Sequence, residues 1–196
     1  VVGDEAGTAI TTGDKNVFVG TLAGDATTTA GENVAIGYDS LGTNILGSGS
    51  VAVGPSALRT QNYGSATNAY NTAVGMFAGY AVTTGVQNTL IGAFAGDAIT
   101  TADESVAIGY LALSANTTAD DNTAIGSHAL TANTTGRINT AVGKGSMAAN
   151  TTGQDNAAFG GLTLDANTTG TGNTALGYAT LTSNTTADNN TAVGFN

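Results

Sequence analysis

The chain contains no cysteine and no tryptophan, and it carries very little positive charge. Without cysteine it can form neither a disulfide nor a thiolate metal site. Four Lys and Arg residues stand against fourteen acidic ones, which gives a net charge of −10. Such a chain cannot neutralise a run of phosphates or bind an anionic membrane through charge. We therefore expect neither nucleic acid nor a membrane surface as a partner.

The sequence also lacks the features of an enzyme and of a membrane-spanning segment. No apolar run approaches the ~20 residues that a spanning helix requires. Histidine occurs once, as His128, at a variable position where surface placement is expected. With one histidine, no nucleophile motif and no clearly divergent unit, the chain offers no catalytic cleft. We predict a non-enzymatic protein without catalytic residues, metal or other cofactor.

What the chain does have is one pentapeptide, Asn-Thr-Ala-Ile-Gly at 122–126, repeated from end to end. Its closing glycine returns every 17 residues, except for one interval of 21 between Gly54 and Gly75. A fixed period indicates stacked structural units, so the chain is predicted to be a solenoid. We expect one repeat domain over 1–196, with a four-residue insertion within 55–70. Repeats cut at both ends suggest a segment of a longer polypeptide.

Each unit is numbered from the Asn or Ser that opens the pentapeptide, so that the glycine is place 5. Place 3 is apolar and mostly Ala, whereas place 4 is always large and apolar. The short apolar run and its β-branched residues favour a strand, in which places 3 and 4 face opposite sides. The uncovered alanine side is expected to pack against neighbouring chains. The predicted core is the place-4 column: Val19, Ile36, Val53, Val74, Ile91, Ile108, Ile125, Val142, Phe159, Leu176 and Val193.

The rest of the unit indicates a second short strand and a polar corner. Ala-Leu or Ala-Gly usually occupies places 8 and 9, with variants such as Ser-Met at 146–147 and Thr-Leu at 163–164, and Asn-Thr-Thr often begins the corner at place 12. Two strands and two corners predict an all-β parallel β-solenoid, a left-handed β-roll of 17-residue coils. A three-sided β-helix with ~18 residues per coil is the geometric alternative. One roll has a thin core, so we predict an intertwined or side-by-side homotrimer.

The opening Asn of the pentapeptide recurs at the same place of successive coils. Stacked coils would bring these amides to ~4.8 Å spacing and form a structural ladder. In the longer unit, Arg59, Tyr63 and Tyr70 define a possible binding loop, and a tolerated corner insertion is the alternative. The ladder residues are Asn16, Asn33, Asn71, Asn88, Asn122, Asn139, Asn156, Asn173 and Asn190.

Acidic residues collect just before the pentapeptide, for example at Asp103, Glu104, Asp120 and Asp121. Stacked carboxylates could hold Ca²⁺, which prefers hard oxygen ligands. The known calcium-loop patterns are missing, so a solvated acidic edge that discourages edge-to-edge aggregation is the preferred interpretation. The Asn-Thr-Thr corners formally match glycosylation acceptors, but turn chemistry explains them better.

The whole unit resembles repeats of bacteriophage tail-fibre proteins and is similar to the head repeats of trimeric autotransporter adhesins. The adhesin motif Asn-Ser-Val-Ala-Ile-Gly is matched by Ser-Val-Ala-Ile-Gly at 105–109 and Ser-Val-Ala-Val-Gly at 50–54. The resemblance covers the whole chain and implies a left-handed parallel β-roll wound as a trimer. It also implies an extracellular location, on a virion tail or a bacterial cell surface. The period of 17 exceeds the 14 to 15 residues of adhesin heads, so longer corners are expected.

Three functions remain open from the sequence. The first is a structural and adhesive fibre segment that contacts a host-surface glycan or protein. The second is a self-assembling extracellular filament whose coil ends stack by strand addition. The third is an ice-binding solenoid, which the column of corner Thr pairs such as 117–118 and 134–135 would suit. Those Thr residues belong to a glycine-containing corner rather than to a strand, which weighs against ice binding.

Overall fold

The computed structural model describes residues 2–195 and shows an all-β parallel β-solenoid with coils of about 17 residues. Eleven strands, one from each successive coil, form a single parallel sheet in the order of the chain. A second sheet has two short strands, β3 and β5. The strands are β1 Val17–Val19, β2 Val34–Ile36, β3 Gly47–Ser48, β4 Val51–Val53, β5 Thr67–Asn68, β6 Thr72–Val74, β7 Thr89–Ile91, β8 Val106–Ile108, β9 Thr123–Ile125, β10 Thr140–Val142, β11 Ala157–Phe159, β12 Thr174–Leu176 and β13 Thr191–Val193.

Neighbouring strands pair place for place, so each column of the sequence becomes a column in space. In β9 and β10, Ala124 pairs with Ala141 and Ile125 with Val142. The same register holds across the longer coil, where Val53 pairs with Val74. The four extra residues therefore leave the main sheet undisturbed.

The predicted second strand at places 8 and 9 is wrong, because that wall of the coil is a chain of turns. Places 7 and 9 have left-handed backbone conformations, as in His128 (φ 61°) and Leu130 (φ 49°). The backbone N–H of His128 donates to Tyr110 O of the preceding coil at 2.9 Å, and that of Leu130 to Ser146 O of the following coil at 3.0 Å. Alternating residues thus bond to opposite neighbours, and the coils are joined without a regular strand.

The prediction that place 4 forms the core is also wrong, since the strands turn their alanine side inward. Ala35, Ala52 and Ala124 are fully buried, whereas Ile36 and Phe159 are 38% and 43% exposed. The reason is the narrow interior: Leu130 and its equivalents at place 9 enter from the opposite wall and leave room only for a small residue at place 3. The residues that do not form the core are those of the place-4 column, all of them partly or well exposed: Val19, Ile36, Val53, Val74, Ile91, Ile108, Ile125, Val142, Phe159, Leu176 and Val193.

In some coils the large side chain lies at place 3 and a glycine lies at place 9, which reverses the usual arrangement. Place 3 carries a large side chain, Leu90, beside coils that have Gly79 and Gly96 at place 9. A Cβ atom added at Gly96 would lie 2.8 Å from Leu90 Cδ2 and 2.8 Å from Ile99 Cδ1. Phe18 fills the space beside Gly24 in the same way. At Gly79, whose own coil has Ala73 at place 3, the space is filled by Leu90 and Leu58 of the neighbouring coils together with Val82.

Truncation of Leu90 is expected to open a cavity that no neighbour can fill. Because Gly79 and Gly96 carry no side chains, Leu90→Ala should cost about 2–5 kcal/mol of unfolding free energy. Gly96→Ala should also destabilise, because its methyl group would overlap Leu90. In the double variant that overlap with Leu90 is relieved, so urea denaturation should give a favourable coupling of about 0.5–3 kcal/mol. Strict additivity of the two losses would contradict this account of the core.

The longer coil accommodates its extra residues at one corner. The β3–β5 pair joins Gly47 to Thr67 and Ser48 to Asn68, so the insertion is anchored to the preceding coil. Place 1 of the longer coil is the short Ser50, and the long Gln61 at place 12 of the same coil compensates for it. Gln61 Nε2 donates to Ser50 Oγ at 3.1 Å.

Candidate functional surface

The Asn residues at place 1 lie inside the coils and bond one coil to the next. Asn139 donates from its backbone N–H and from Nδ2 to Asn122 Oδ1, at 3.1 and 3.2 Å. Its Nδ2 also donates to Gly153 O at 2.8 Å. Hydrogen bonds of this kind extend from Asn16 to Asn190 and are interrupted where Ser replaces Asn. These residues stabilise the stack and are not available to a ligand.

A second amide ladder, which the sequence interpretation missed, occupies place 12. Asn150 Nδ2 donates to Asn133 Oδ1 and Asn167 Nδ2 to Asn150 Oδ1, both at 2.9 Å. Both Asn133 and Asn150 are fully buried in the folded chain. Their side chains close the corner by donating to the carbonyl three residues later, so a glycosylating enzyme could not reach them.

The acidic residues at place 16 accept hydrogen bonds from the backbone of the preceding coil. Asp103 Oδ1 accepts from Val86 N at 2.8 Å, and Asp120 Oδ1 accepts from Asp103 N at 3.0 Å. Asp120 also pairs with Arg137, 2.7 Å away. Residues 2–195 contain no group of three or more Asp, Glu or His side chains placed to hold a metal ion. The place-16 carboxylates therefore join successive coils.

The three residues of the possible binding loop have different environments. Tyr63 is buried, and its hydroxyl donates to Gly85 O at 2.8 Å and accepts from Asn71 Nδ2 at 3.2 Å. Burial raises the pKa of the Tyr63 hydroxyl well above its usual range. Arg59 forms an ion pair with Asp39. Only Tyr70 is well exposed, so the insertion does not present these three side chains together.

The most distinctive surface is the outward side of the eleven-stranded sheet. It consists of places 2 and 4 of every coil, together with exposed residues at place 6, and we name it the apolar sheet face. Most exposed large apolar residues of the chain lie there, including Ile91, Tyr110, Phe159, Leu176 and Tyr178. Such concentration on one side is typical of an interaction surface.

Places 2 and 4 of the apolar sheet face carry no charged residue. They contain Val, Thr, Ala, Ile, Leu and Phe in all eleven strands, although the chain has eighteen charged residues. Charged side chains such as Glu32, Glu104 and Asp121 lie at place 17, along one border of the sheet. An uncharged centre with a charged border resembles the arrangement of protein–protein interfaces.

His128 lies outside the coil interior and contacts aromatic neighbours. Its ring is 5.5 Å from that of Tyr110, measured between centroids, and its Nδ1 is 2.8 Å from Ser127 Oγ. It ends a run of adjacent rings that continues through Phe94 and Phe77 to Tyr80. Sequence reasoning considered His128 alone and did not recognise the run, because its members occupy places 6, 7 and 10 over four coils.

The fold and its internal ladders define a parallel β-solenoid. Comparisons with protein-family models, with curated proteins and with solved structures find no match. Within residues 2–195, no helix has the length and apolar character needed to cross a bilayer. The functional interpretation therefore depends on the surfaces of the solenoid itself.

Proposed function

We propose that the chain is a non-enzymatic structural and adhesive fibre segment, a β-solenoid shaft or head that assembles as a homotrimer through its apolar sheet face. The observation that carries this proposal is the uncharged apolar surface that continues over all eleven coils. An exposed apolar patch that continues along the whole stack is typical of an interaction site.

The size of the face supports a second copy of the chain as its partner. Eleven strands at ~4.8 Å spacing extend over about 50 Å, and three strand residues span about 10 Å. Each copy would thus bury about 500 Å², and the three copies of a trimer about 1,500 Å² in total, a total of the size that stable assemblies bury. Columns with the same period in each copy fit one another coil by coil, which a chemically different partner would not.

Attachment to a host or other surface is the adhesive part of the proposal. Exposed Thr side chains at place 14, such as Thr84, Thr101, Thr118 and Thr135, repeat along one corner of the stack. Identical groups at regular spacing favour weak contacts made many times, with a glycan or a protein on an extracellular surface. A virion tail fibre or a bacterial cell-surface protein fits this arrangement.

Charging the apolar sheet face should dissociate the assembly. Sedimentation should give three times the 19.0 kDa of one chain for the unmodified protein, and a monomer for Ile91→Lys combined with Ile125→Lys. The reason is that three pairs of lysines would be buried without partners. Ile45→Lys with Thr118→Lys is the matched control, since Ile45 (38% exposed) and Ile125 (36%) differ in place rather than exposure.

The outcomes of sedimentation separate the competing assemblies. A monomeric unmodified protein, or loss of assembly in the control alone, would contradict the proposal. An open series of growing particles would instead favour the filament, in which coil ends stack by strand addition.

Ice binding is a second candidate, favoured by one structural observation. Thr residues occupy place 2 on the outward side of six strands, at Thr72, Thr89, Thr123, Thr140 and Thr174 among others. The column is interrupted by Val17, Val34, Val51, Val106 and Ala157, so the hydroxyl array is irregular. Thermal hysteresis of the purified protein at micromolar concentration tests this candidate, and we expect none.

A further inference from the structure

A small pocket opens on the turn wall of the coil, separate from the strand residues of the apolar sheet face. Phe77 and Phe94 at place 7, with Tyr80 and Asp97 at place 10, line a cavity of about 180 Å³. The rings of Phe77 and Phe94 stack at 5.4 Å, and Tyr80 meets Phe77 edge-on at 5.4 Å, between centroids. Two successive coils thus build three aromatic walls and one acidic wall.

One oxygen of the carboxylate in this pocket has no hydrogen-bond partner in the part of the chain that the structure describes. Asp97 Oδ1 is buried and has no hydrogen-bond partner among residues 2–195. Burial raises the pKa of the Asp97 carboxyl, against a smaller opposing effect of nearby backbone N–H groups. A buried acceptor without a partner is costly, and this one lies beside aromatic rings, whose faces attract cations.

The charge of the site selects a cation. The chain has a net charge of −10. The basic residue near these rings, Arg59, pairs with Asp39 and donates to the Tyr80 hydroxyl, and its guanidinium lies 5.9 Å from the centroid of the Tyr80 ring. Aromatic faces attract cations through their quadrupole, and a neighbouring carboxylate adds direct charge attraction. The pocket is well below the ~300–1,000 Å³ of drug-sized sites, so the bound group must be small.

The pocket has few hydrogen-bond acceptors, which favours a quaternary over a primary ammonium group. A primary ammonium carries three N–H donors, but the lining residues offer one carboxylate and a Tyr hydroxyl that already accepts from Arg59. Donors left unpaired in an apolar pocket would reduce affinity. A quaternary ammonium has no donors and presents methyl groups to the rings. We propose that Phe77, Tyr80, Phe94 and Asp97 form a binding site for a quaternary ammonium group.

The repeat supplies matched variants for testing this site. Asp97→Asn removes the charge, and Phe94→Leu uses the residue that Leu111 already provides at the same place of the next coil. Asp165 is the control, because it also occupies place 10 and also has a buried Oδ1 without a partner. Its coil has Leu162 at place 7 rather than a ring.

Titration with tetramethylammonium chloride, followed by NMR, measures the proposed binding directly. We expect an upfield shift of the methyl signal as it enters the ring faces, and saturation at one site per chain. Asp97→Asn and Phe94→Leu should each weaken binding about tenfold, while Asp165→Asn should leave it unchanged. Tert-butanol, a neutral molecule of similar shape, should bind at least tenfold more weakly.

Three results would overturn the proposal. They are an absence of saturable shift with the unmodified protein, equal binding of tert-butanol, and equal binding by the Asp97→Asn variant. A parallel titration with phosphocholine distinguishes a phosphorylated headgroup from a free quaternary amine as the source of the ligand. The pocket belongs to the monomer, so the result does not depend on the proposed trimer.

Discussion

Replacing Gly160 by Ala is expected to lower the free energy of unfolding by about 3–6 kcal/mol, while the same change at the adjacent Gly161 leaves it within about 0.5 kcal/mol. Gly160 is a place-5 glycine with a φ of 139°, a conformation that other residues rarely adopt. A Cβ atom there would lie 2.6 Å from the carbonyl carbon of Gly177 in the next coil. The obstructing atoms belong to the backbone of Gly177, whose N–H donates to Phe159 O, so the next coil cannot move away.

Gly161 provides the control within the same coil. A Cβ atom at Gly161 would lie 3.4 Å from the ring of Tyr178, which is an ordinary contact, and the equivalent place of another coil is already Ala93. Urea denaturation of both variants, with circular dichroism as the signal, measures the difference. Equal stability of the two variants would show that the close approach of successive place-5 glycines does not limit the fold.

Removing one amide from the place-1 ladder should have the second largest effect. Asn139→Ala is expected to cost about 3–5 kcal/mol, because it leaves the backbone N–H of Asn156 without its buried acceptor and removes one of the two side-chain donors to the carbonyl of Gly153. The loss should be seen in urea denaturation. Hydrogen exchange should also locate it, as faster exchange confined to the coils next to Asn139.

Two further variants make the ladder prediction specific. Asn62→Ala removes an exposed amide and should change stability by less than about 0.5 kcal/mol. Asn139→Ser should fall between the two, since Ser already occupies place 1 at Ser50 and Ser105. If Asn139→Ala were as mild as Asn62→Ala, the amide column would be a passive consequence of stacking.

The sequence alone predicted the features that follow directly from its period. A fixed spacing of the place-5 glycines requires identical coils, and identical coils bring Asn122 above Asn139 whatever the shape of the coil. The class of fold and the column of amides could therefore be anticipated. The class of fold and the amide column depend on how one coil repeats along the stack. They do not depend on the path of the backbone within a coil.

Which side of the strand faces inward could not be derived from the period. Places 3 and 4 are both apolar, and residue size suggested that Ile125 rather than Ala124 fills the core. The answer depends on the opposite wall, where Leu130 already occupies the interior. The sequence did indicate that places 3 and 9 share the interior, since Leu90 at place 3 occurs with Gly96 at place 9. This can be interpreted only once the two walls are known to face each other.

The turn wall was missed because the sequence indicates its conformation only through residue types that are missing from two places. Thr and Val are abundant in the chain, yet no β-branched residue occurs at place 7 or place 9. Such residues are strongly disfavoured at positive φ, which the backbone of those places adopts in His128 and Leu130. The exclusion of stiff side chains was the available evidence against a second strand.

Every coil bonds only to the coil before it and the coil after it. The length of the molecule is therefore set by the number of coils. Adding or deleting one whole unit between Gly109 and Gly143 would move everything beyond it by about 4.8 Å and leave all interfaces of the same kind. The length of the molecule can thus change in equal steps of one coil.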